Sequence, residues 1–423
     1  MRLSSAVLIF AAVAQQCAGF PSSFFENRAL HLGNRTVAAF DPAAQLIDVT
    51  GDHAFEAPNF ENGDLRGPCP GLNAMANHKF IPHNGIVPFA TAFAQSKSVF
   101  GLGVLPDTAV TALAIFGADV LALDFSIGGA PPSGILGGLG LLGNVVVNVG
   151  NAGRPTGLSG THNQFESDNS PTRGDFYQFN GNNHDLQLPY FESLYNLPAG
   201  GPSANHDRDI IQQHARNRYH QSVSENPYFF YGPVEMVVSC AVHNLVYAMM
   251  ANHSAECPQG CLTGDVLKSI YAVTTLQDGS LHYTPGHERI PDKWYRRPVD
   301  YGLDIVTDLV AMWLRYPELL IVGGNVDGVN TFAPIDIGNL TGGVYSTTTL
   351  LEGNNAACFV FQAVQILVPD ALSKVAGYVS GILGDLLGAI KPVLDDLACP
   401  ELSELDTSVL ERYPGYKRTN HAV

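Results

Sequence analysis

Basic side chains are scarce in this chain. Its 423 residues include 22 Lys and Arg against 39 Asp and Glu, which gives a formal net charge of −17. Nucleic acids and anionic membrane surfaces both attract positively charged protein faces, so the composition argues against either as a partner. An internal repeat and a long Ser/Pro-rich linker are also missing from the sequence. The length therefore predicts one large domain or a few ordinary ones, and we favour one.

Long hydrophobic runs are equally rare. The longest near the N-terminus, AVLIFAAVA at 6–14, follows Arg2 and precedes the small residues Cys17-Ala18-Gly19. A run of this length is too short to span a bilayer, and the order of charge, apolar run and small residues is typical of a secretory signal peptide. We therefore expect residues 1–19 to be a signal peptide, the mature protein to be secreted, and the chain to have no membrane span. Three Asn-x-Ser/Thr sequons, at Asn34, Asn252 and Asn339, are compatible with glycosylation.

Cysteines are few, and their spacing is informative. Cys17 leaves with the predicted signal, and six remain: Cys69, Cys240, Cys257, Cys261, Cys358 and Cys399. In an oxidising compartment some of these should pair. The spacing suits a small loop closed by Cys257 and Cys261, and a longer staple between Cys358 and Cys399. Cys240 lies in the apolar run VVSCAVHNLVYAMM and is expected to be a buried, inert thiol, whereas Cys69 does not resemble a core residue.

Helical periodicity dominates, and strand patterns are sparse. Apolar residues recur at helical spacing at 107–122, from Pro233 onwards, from Gly302 to Pro317, and at 371–391. Three charged residues make the last of these an unlikely membrane span, and we expect it to pack on the protein's own core. The best strand pattern is VVVNV at 145–149. The sequence therefore predicts a mainly α fold, a single multi-helical domain with long loops and little β structure.

The segment RGPCPGLNAMANHKFIPHNG, residues 66–85, presents one thiol at the start of a predicted helix. Helix N-termini stabilise thiolates through free backbone N–H groups, and Pro70 suits the first helical position. A cysteine nucleophile needs a nearby base, but His78 lies nine residues further along. A single cysteine is too few for structural zinc. An axial thiolate on haem iron needs no second protein ligand and remains.

The same segment closely resembles the proximal segment of the haem-thiolate peroxidases, the chloroperoxidase and unspecific peroxygenase family. The resemblance is carried by Pro68-Cys69-Pro70, Leu72-Asn73, Asn77-His78 and Phe80-Ile81-Pro82, with Lys79 where glycine is usual. It implies haem b with Cys69 as the axial ligand, and hydrogen peroxide as co-substrate for oxidation or oxygenation of small aromatic or aliphatic molecules. On this basis residues 50–250 are expected to form the peroxidase core, and 251–423 a helical extension packed on it.

A second segment, HNQFESDNSPTR at 162–173, resembles the family's Glu-x-Asp-x-Ser metal motif, with Ser167 at a position that is usually Gly or His. The resemblance implies a Mg²⁺ or Mn²⁺ ion bound by the Glu166 carboxylate, the Ser167 carbonyl and the Ser170 hydroxyl, beside a haem propionate. Hard oxygen ligands suit such a cation. Asp168 would then orient the loop without binding the ion.

The family pattern breaks at the distal acid–base. Family members use a glutamate, often seven residues after an arginine, and counting from Asn226-Pro227 these positions fall near Glu235 and Val242. An acid therefore stands where arginine is expected, and valine where glutamate is expected. Three alternatives stay open: His243 serves as acid–base, Glu235 does, or neither does, in which case another residue such as His162 or Asp168 serves or peroxide cleavage is slow. On one helix, Glu235 and His243 would be about 80° apart around the axis.

Two other functions remain compatible with the sequence. The missing glutamate would suit a secreted haem-binding protein with little turnover, and a dedicated oxidase of one secondary metabolite would also carry these motifs. Phe165 and the aromatic run Tyr228–Tyr231 could line an apolar channel, but core packing explains them equally well. The sequence predicts neither the substrate nor the oligomeric state.

Overall fold

The computed structural model describes residues 39–103, 124–131, 156–163, 166–302, 304–346 and 399–417, with isolated positions between 349 and 366. Four segments for which the sequence predicts a signal peptide, a helix or a strand lie outside the described residues: 1–19, 107–122, 145–149 and 371–391. Phe165 also lies outside them. All statements about structure below refer to the described part of the chain.

Helices outweigh strands, in agreement with the mainly α prediction. The α-helices are α1 Pro42–Gln45, α2 Pro70–Asn77, α3 Phe89–Phe100, α4 Leu188–Tyr195, α5 Arg208–Glu225, α6 Pro233–Met250, α7 Gly264–Ile270, α8 Asp304–Arg315, α9 Ile337–Leu340 and α10 Pro414–Lys417. Short 3₁₀ turns cover Gly51–His53, Phe60–Asn62, Leu158–Gly160, Pro317–Leu320 and Thr407–Arg412. Proline stands at the first helical position of α2 and of α6, as the sequence predicted. That the whole chain is one domain stays a prediction.

The strands are short and antiparallel. They are β1 Ile86–Pro88, β2 Asp124–Ser126, β3 Phe230–Tyr231, β4 Val273–Thr275, β5 Leu281–Tyr283, β6 Gly323–Asn325 and β7 Phe332–Pro334. β1 pairs with β2, β4 pairs with β5, and a third sheet has the order β3-β6-β7. In that sheet Phe230 lies opposite Gly324, so a strand of the later chain is hydrogen-bonded directly to the segment that leads into α6.

Helix α6 lies between two hydrophobic clusters. The first cluster contains Val238 and Val246 of α6 together with residues as far apart as Ile47 and Trp294. The second contains Met236 and Cys240 with residues from α8 and the C-terminal segment. Among the described residues, α6 alone is long and apolar enough to cross a membrane, but 61% of that stretch is buried inside the protein. The division of the chain near residue 250 stays a prediction, and the first cluster continues past that position.

The cysteine pairing follows the prediction. Cys257 is bonded to Cys261 and Cys358 to Cys399, while Cys69 and Cys240 are free. Cys240 is 1% exposed, and its sulfur lies 3.4 Å from the Tyr231 hydroxyl. Burial raises the pKa of the Cys240 thiol to about 11, so this thiol is inert at neutral pH.

Candidate active site

Cys69 is the N-cap of α2. Its backbone is extended, with φ −89° and ψ 107°, and Pro70 begins the helix. Cys69 is half-buried, and the backbone N–H groups of Gly71 and Leu72 in the first turn of α2 act to lower the pKa of its thiol. Burial raises the pKa of the Cys69 thiol, whereas those N–H groups and the charge of Arg173 act in the opposite direction. The helix N-terminus and Arg173 therefore favour the charged form of the sulfur, as the sequence predicted, while burial and the charge of Glu288 oppose it and the pKa is raised overall.

The loop that carries Cys69 is held rigidly by side chains of α2. The Gly67 N–H donates to Asn73 Oδ1 over 3.0 Å, and Asn73 Nδ2 donates back to the Gly67 carbonyl over 2.9 Å. A Cβ on Gly67 would lie 1.8 Å from the carbonyl oxygen of Ile127, so only glycine fits there. Arg66 donates twice to Asn77 Oδ1, over 2.9 and 2.7 Å. These bonds fix the approach of the chain to the thiol.

His78 has a structural role in the fold. Its Nε2 accepts the Ile290 N–H over 3.2 Å, so the ring proton is on Nδ1, which donates to the His53 carbonyl over 2.7 Å. Both ring nitrogens are thus occupied, and this histidine is not available to act as a base for the thiol.

Arg173 connects the Cys69 loop to a distant part of the chain. Its Nε donates to the Pro68 carbonyl over 3.1 Å, and its Nη2 forms an ion pair with Glu288 Oε1 over 2.9 Å. Arg173 is 2% exposed and Glu288 is 0% exposed. The Glu288 carbonyl in turn accepts Asn77 Nδ2 over 2.8 Å. A buried positive charge is therefore fixed beside the residue that precedes Cys69.

The candidate metal loop, residues 162–170, begins with a tight turn. The Asn163 N–H donates to the Glu166 carbonyl over 2.9 Å, and the Glu166 N–H donates to the Thr161 carbonyl over 3.1 Å. His162 Nδ1 donates to Glu166 Oε2 over 2.7 Å. The Glu166 carboxylate is thus held in place through one oxygen by a histidine that is itself fully buried.

Asp168 is fully engaged in holding this loop. Its Oδ1 accepts the Phe176 N–H over 2.9 Å, and its Oδ2 accepts Asn226 Nδ2 over 2.8 Å. Burial, followed by the charge of Asp175, raises the pKa of Asp168 to about 8. Both carboxylate oxygens therefore have protein partners, and the role of Asp168 in orienting a metal-binding loop stays a prediction.

Two side chains of α5, Arg218 and His214, donate hydrogen bonds to carbonyls of the same loop region. Arg218 Nε donates to the Ser170 carbonyl over 3.0 Å, and its Nη2 contacts Asp175 over 3.2 Å. His214 Nε2 donates to the Pro171 carbonyl over 2.8 Å. The backbone around Ser170 is therefore set by side chains of α5.

The donors in the loop suit a hard cation that keeps several non-protein ligands. No group of three or more His, Cys, Asp or Glu within the described ranges could hold a metal ion, so any ion here depends on one carboxylate plus serine oxygens. Buried polar atoms without a hydrogen-bond partner are concentrated around the loop: Ser159 Oγ, His162 Nε2, Asn163 Oδ1, Asn169 Oδ1 and Nδ2, and Asn183 Oδ1. Each such atom costs about 1–3 kcal/mol unless water or a ligand meets it. The residues of this loop therefore fit a hydrated hard cation that also binds a polar group from outside the protein.

Glu235 and His162 belong to one buried electrostatic cluster with Glu166. Glu235 is 4% exposed, and the backbone N–H groups of Gly232 and Glu235 act to lower the pKa of its carboxyl group. Burial raises the pKa of Glu235 to about 7, with His162 acting in the opposite direction and Glu166 raising it further. Burial would lower the pKa of His162, but Asp168 and Glu166 outweigh it and leave that pKa raised. The His162 ring is stacked on Phe176, with ring centroids 4.4 Å apart.

His243 lies in a different environment. Its Nδ1 donates to the Ser239 carbonyl over 2.8 Å, and its ring centroid is 6.1 Å from that of His214 on α5. Burial, followed by repulsion from His214, lowers the pKa of His243 to about 3. Glu235 is therefore electrostatically coupled to His162, whereas His243 faces the α5–α6 contact.

The aromatic run also packs as core. Phe229, Phe230 and Tyr231 are at most 2% exposed and belong to the second hydrophobic cluster. Sequence reasoning gave no role to Arg173, Glu288, Arg218 or His214. Arg173 stood inside the quoted metal segment, but Glu288 is far from any motif, and only the folded chain brings it to Cys69.

A thiol at a helix N-terminus, followed by an acidic loop beside a buried glutamate, is the arrangement expected of a haem-thiolate enzyme. The family model described as "Peroxidase, family 2" matches residues 53–299, which is more than half of the chain. The chain therefore belongs to this family of haem-thiolate peroxidases, and it is a peroxide-dependent oxidoreductase associated with haem iron.

Similar proteins include two fungal enzymes that match nearly the whole chain. The dothistromin biosynthesis peroxidase dotB of Dothistroma septosporum is 43% identical over 390 residues, covering 90% of this chain and 89% of that protein. The aromatic peroxidase fscJ of Fusarium equiseti is 39% identical over 390 residues, covering 89% and 87%. An aromatic peroxygenase of Cyclocybe aegerita is 28% identical over only 200 residues, or 44% and 46%.

Proposed function

We propose that this chain is a secreted haem-thiolate peroxygenase or peroxidase in which Cys69 is the axial ligand of haem b. The observation that carries the proposal is the position of a free, half-buried cysteine as the N-cap of α2, where the backbone N–H groups of Gly71 and Leu72 favour its thiolate form. A haem with an axial thiolate supplies peroxide O–O cleavage by donating electron density. The protein itself holds the Cys69 sulfur, transfers protons from and to hydrogen peroxide, and positions an organic substrate.

Glu235 is the acid–base of this proposal. A pKa of about 7 lets a carboxylate take a proton from hydrogen peroxide and return it to the outer oxygen near neutral pH. His243 is less suited, because a pKa of about 3 leaves it unable to hold a proton at working pH. Asp168 is less suited because both of its oxygens already accept hydrogen bonds. His162 supports the cluster by fixing Glu166.

A Mg²⁺ or Mn²⁺ ion bound by Glu166, the Ser167 carbonyl and the Ser170 hydroxyl is part of the proposal. The unpartnered polar atoms around this loop support it, since water and a haem propionate would meet them. The bound cation would offset negative charge next to Glu166 and Glu235.

The substrate is proposed to be an aromatic intermediate of one biosynthetic route. The two relatives that match about nine-tenths of the chain have names that describe a biosynthetic peroxidase and an aromatic peroxidase. Secretion is supported by the pattern of residues 1–19 and by two disulfides, which persist in oxidising compartments.

The test compares the two free cysteines. Protein expressed with haem should give the red-shifted absorption of a thiolate-ligated ferrous–CO complex in the wild type and in Cys240→Ala, but not in Cys69→Ala. A wild-type spectrum without thiolate character, or an unchanged spectrum in Cys69→Ala, would overturn the proposal. Glu235→Gln should then lower peroxide-dependent oxidation of an aromatic substrate by about 10²–10⁴-fold, while haem binding is retained.

A further inference from the structure

We propose that Arg173, held by Glu288, is a positioning residue that places a fixed positive charge beside the Cys69 sulfur and fixes the carbonyl of the residue before it. The inference rests on the proposed function, because it assumes that Cys69 binds haem iron. It concerns a buried ion pair beside the Cys69 loop; Arg173 ends the segment that resembles the metal motif, but that resemblance assigns it no role.

The first support is the geometry of the guanidinium. One edge, through Nε, binds the Pro68 carbonyl over 3.1 Å, and Nη2 binds Glu288 Oε1 over 2.9 Å. Arg173 also follows Ser170 by three residues, so it joins the candidate metal loop to the Cys69 loop. A shift of the guanidinium would therefore move the backbone on which the thiol is mounted.

The second support is that the Arg173–Glu288 ion pair is buried although its hydrogen bonding is incomplete. Arg173 Nη1 and Glu288 Oε2 are both buried without a hydrogen-bond partner. Burying two charges carries a desolvation cost of several kcal/mol per ion, and apolar residues of similar volume often stabilise a fold equally well. An incompletely bonded buried pair is thus poorly explained as a stabilising device, and a charge needed beside a thiolate explains it better.

The third support is the balance of the two charges at the thiol. Arg173 Nε binds the carbonyl of Pro68, the residue directly bonded to Cys69, whereas the Glu288 carboxylate meets this loop only through Nη2 of the arginine. The pair therefore presents a net positive influence to the sulfur. Glu288 keeps the guanidinium in place and moderates that influence.

The experiment measures the ferric/ferrous reduction potential of the haem-loaded protein. Removing the positive charge in Arg173→Gln should stabilise the ferric form and lower the potential, and Glu288→Gln should raise it. We expect each shift to approach about 59 mV, which corresponds to a tenfold change in a one-electron equilibrium. The double variant Arg173→Gln/Glu288→Gln should return towards the wild-type value. A purely structural role would not give shifts of opposite sign.

A conservative variant separates charge from position. Arg173→Lys keeps the positive charge but loses the planar guanidinium that contacts both the Pro68 carbonyl and Glu288. The reduction potential should therefore stay close to that of the wild type, while haem dissociates several-fold faster. Asp308→Asn, which breaks the distant ion pair with Arg208, serves as a control and should leave the potential unchanged. If a single variant does not fold, Arg173→Lys and the double variant still carry the test.

The outcomes are distinguishable from a failure of the proposed function. If the wild type lacks a thiolate-type spectrum, the axial role of Cys69 is wrong. If the wild type has that spectrum but the charge variants shift the potential in the same direction, or not at all, only the inference about Arg173 is wrong.

Discussion

The buried histidine His243 should make the folded protein sensitive to acid, and replacing it should remove part of that sensitivity. In the fold it is 0% exposed, and burial and His214 lower its pKa to about 3. In the unfolded chain the same imidazole titrates near 6.5. Because the folded pKa is the lower one, the stabilising contribution is present above pH 6.5 and is lost as the pH falls towards 3.

The magnitude follows from that difference. One pKa unit corresponds to about 1.4 kcal/mol, so lowering the pH from 7 to 5 should cost about 2 kcal/mol through His243 alone. His214, whose pKa burial lowers to about 4, should cost a similar amount. The raised pKa values of Glu235 and Asp168 act with the opposite sign in this range, so the net slope of the wild type is not diagnostic.

The informative quantity is the change in slope on mutation. His243→Asn keeps a donor near Nδ1 for the Ser239 carbonyl but cannot be protonated. Urea unfolding of the haem-loaded protein, followed by circular dichroism at pH 7 and pH 5, should show a pH dependence about 2 kcal/mol smaller in the variant. The exposed His282, changed to Asn, is the matched control and should leave the slope as in the wild type.

An unchanged slope in His243→Asn would refute the reasoning, because it would mean that His243 gains a proton as easily in the folded protein as in the unfolded chain. The same variant should retain most peroxide-dependent activity. A loss as large as that expected for Glu235→Gln would return the acid–base role to His243.

Three further predictions concern the loop, the C-terminal segment and the surface. Glu166→Gln should weaken Mn²⁺ binding by at least about tenfold in an electron paramagnetic resonance titration, whereas the exposed Glu404→Gln should not; equal affinities would exclude Glu166 as a ligand. Gly415→Ala places a Cβ 2.0 Å from the Tyr228 carbonyl and disturbs the 3.0 Å bond from Asn163 Nδ2 to the Gly415 carbonyl. Gly415→Ala should lower the free energy of unfolding by about 1–3 kcal/mol in thermal unfolding. The control Gly302→Ala, whose added Cβ would have nothing within 4 Å, should not. Similar melting temperatures of the two variants would show that the C-terminal segment is not packed against Tyr228. Asn339 is exposed, whereas Asn252 Oδ1 accepts the Tyr295 N–H over 2.9 Å. In protein secreted by a glycosylating host, Asn339→Gln should therefore remove a glycan and Asn252→Gln should not. The reverse result would contradict this prediction.

Much of the proximal side of the site could be predicted from local sequence. Pro70 and Pro233 begin α2 and α6 because proline suits the first position of a helix, where its missing N–H costs nothing. The thiol of Cys69 was expected at a helix N-terminus and is found there. The two disulfides were also correctly paired, since the short spacing of one and the count of remaining cysteines left few alternatives.

The distal side could not be predicted in the same way. Helical periodicity gives the angle between Glu235 and His243 around α6, but it does not say which neighbouring element meets each side chain. Packing decides this: the charges of His162 and Glu166 in the candidate metal loop act on Glu235, while α5 brings His214 to His243.

The sequence by itself determined the mainly α fold class, the helix starts, the Cys69 segment and the acidic loop, because each depends on residues within about a dozen positions of one another. Only the tertiary structure decided which titratable groups meet. Arg173 and Glu288 are 115 residues apart, and the pair forms because α2 and the segment after β5 pack against the same loop. Contacts of that separation are set by the shape of the whole core, on which local patterns carry no information.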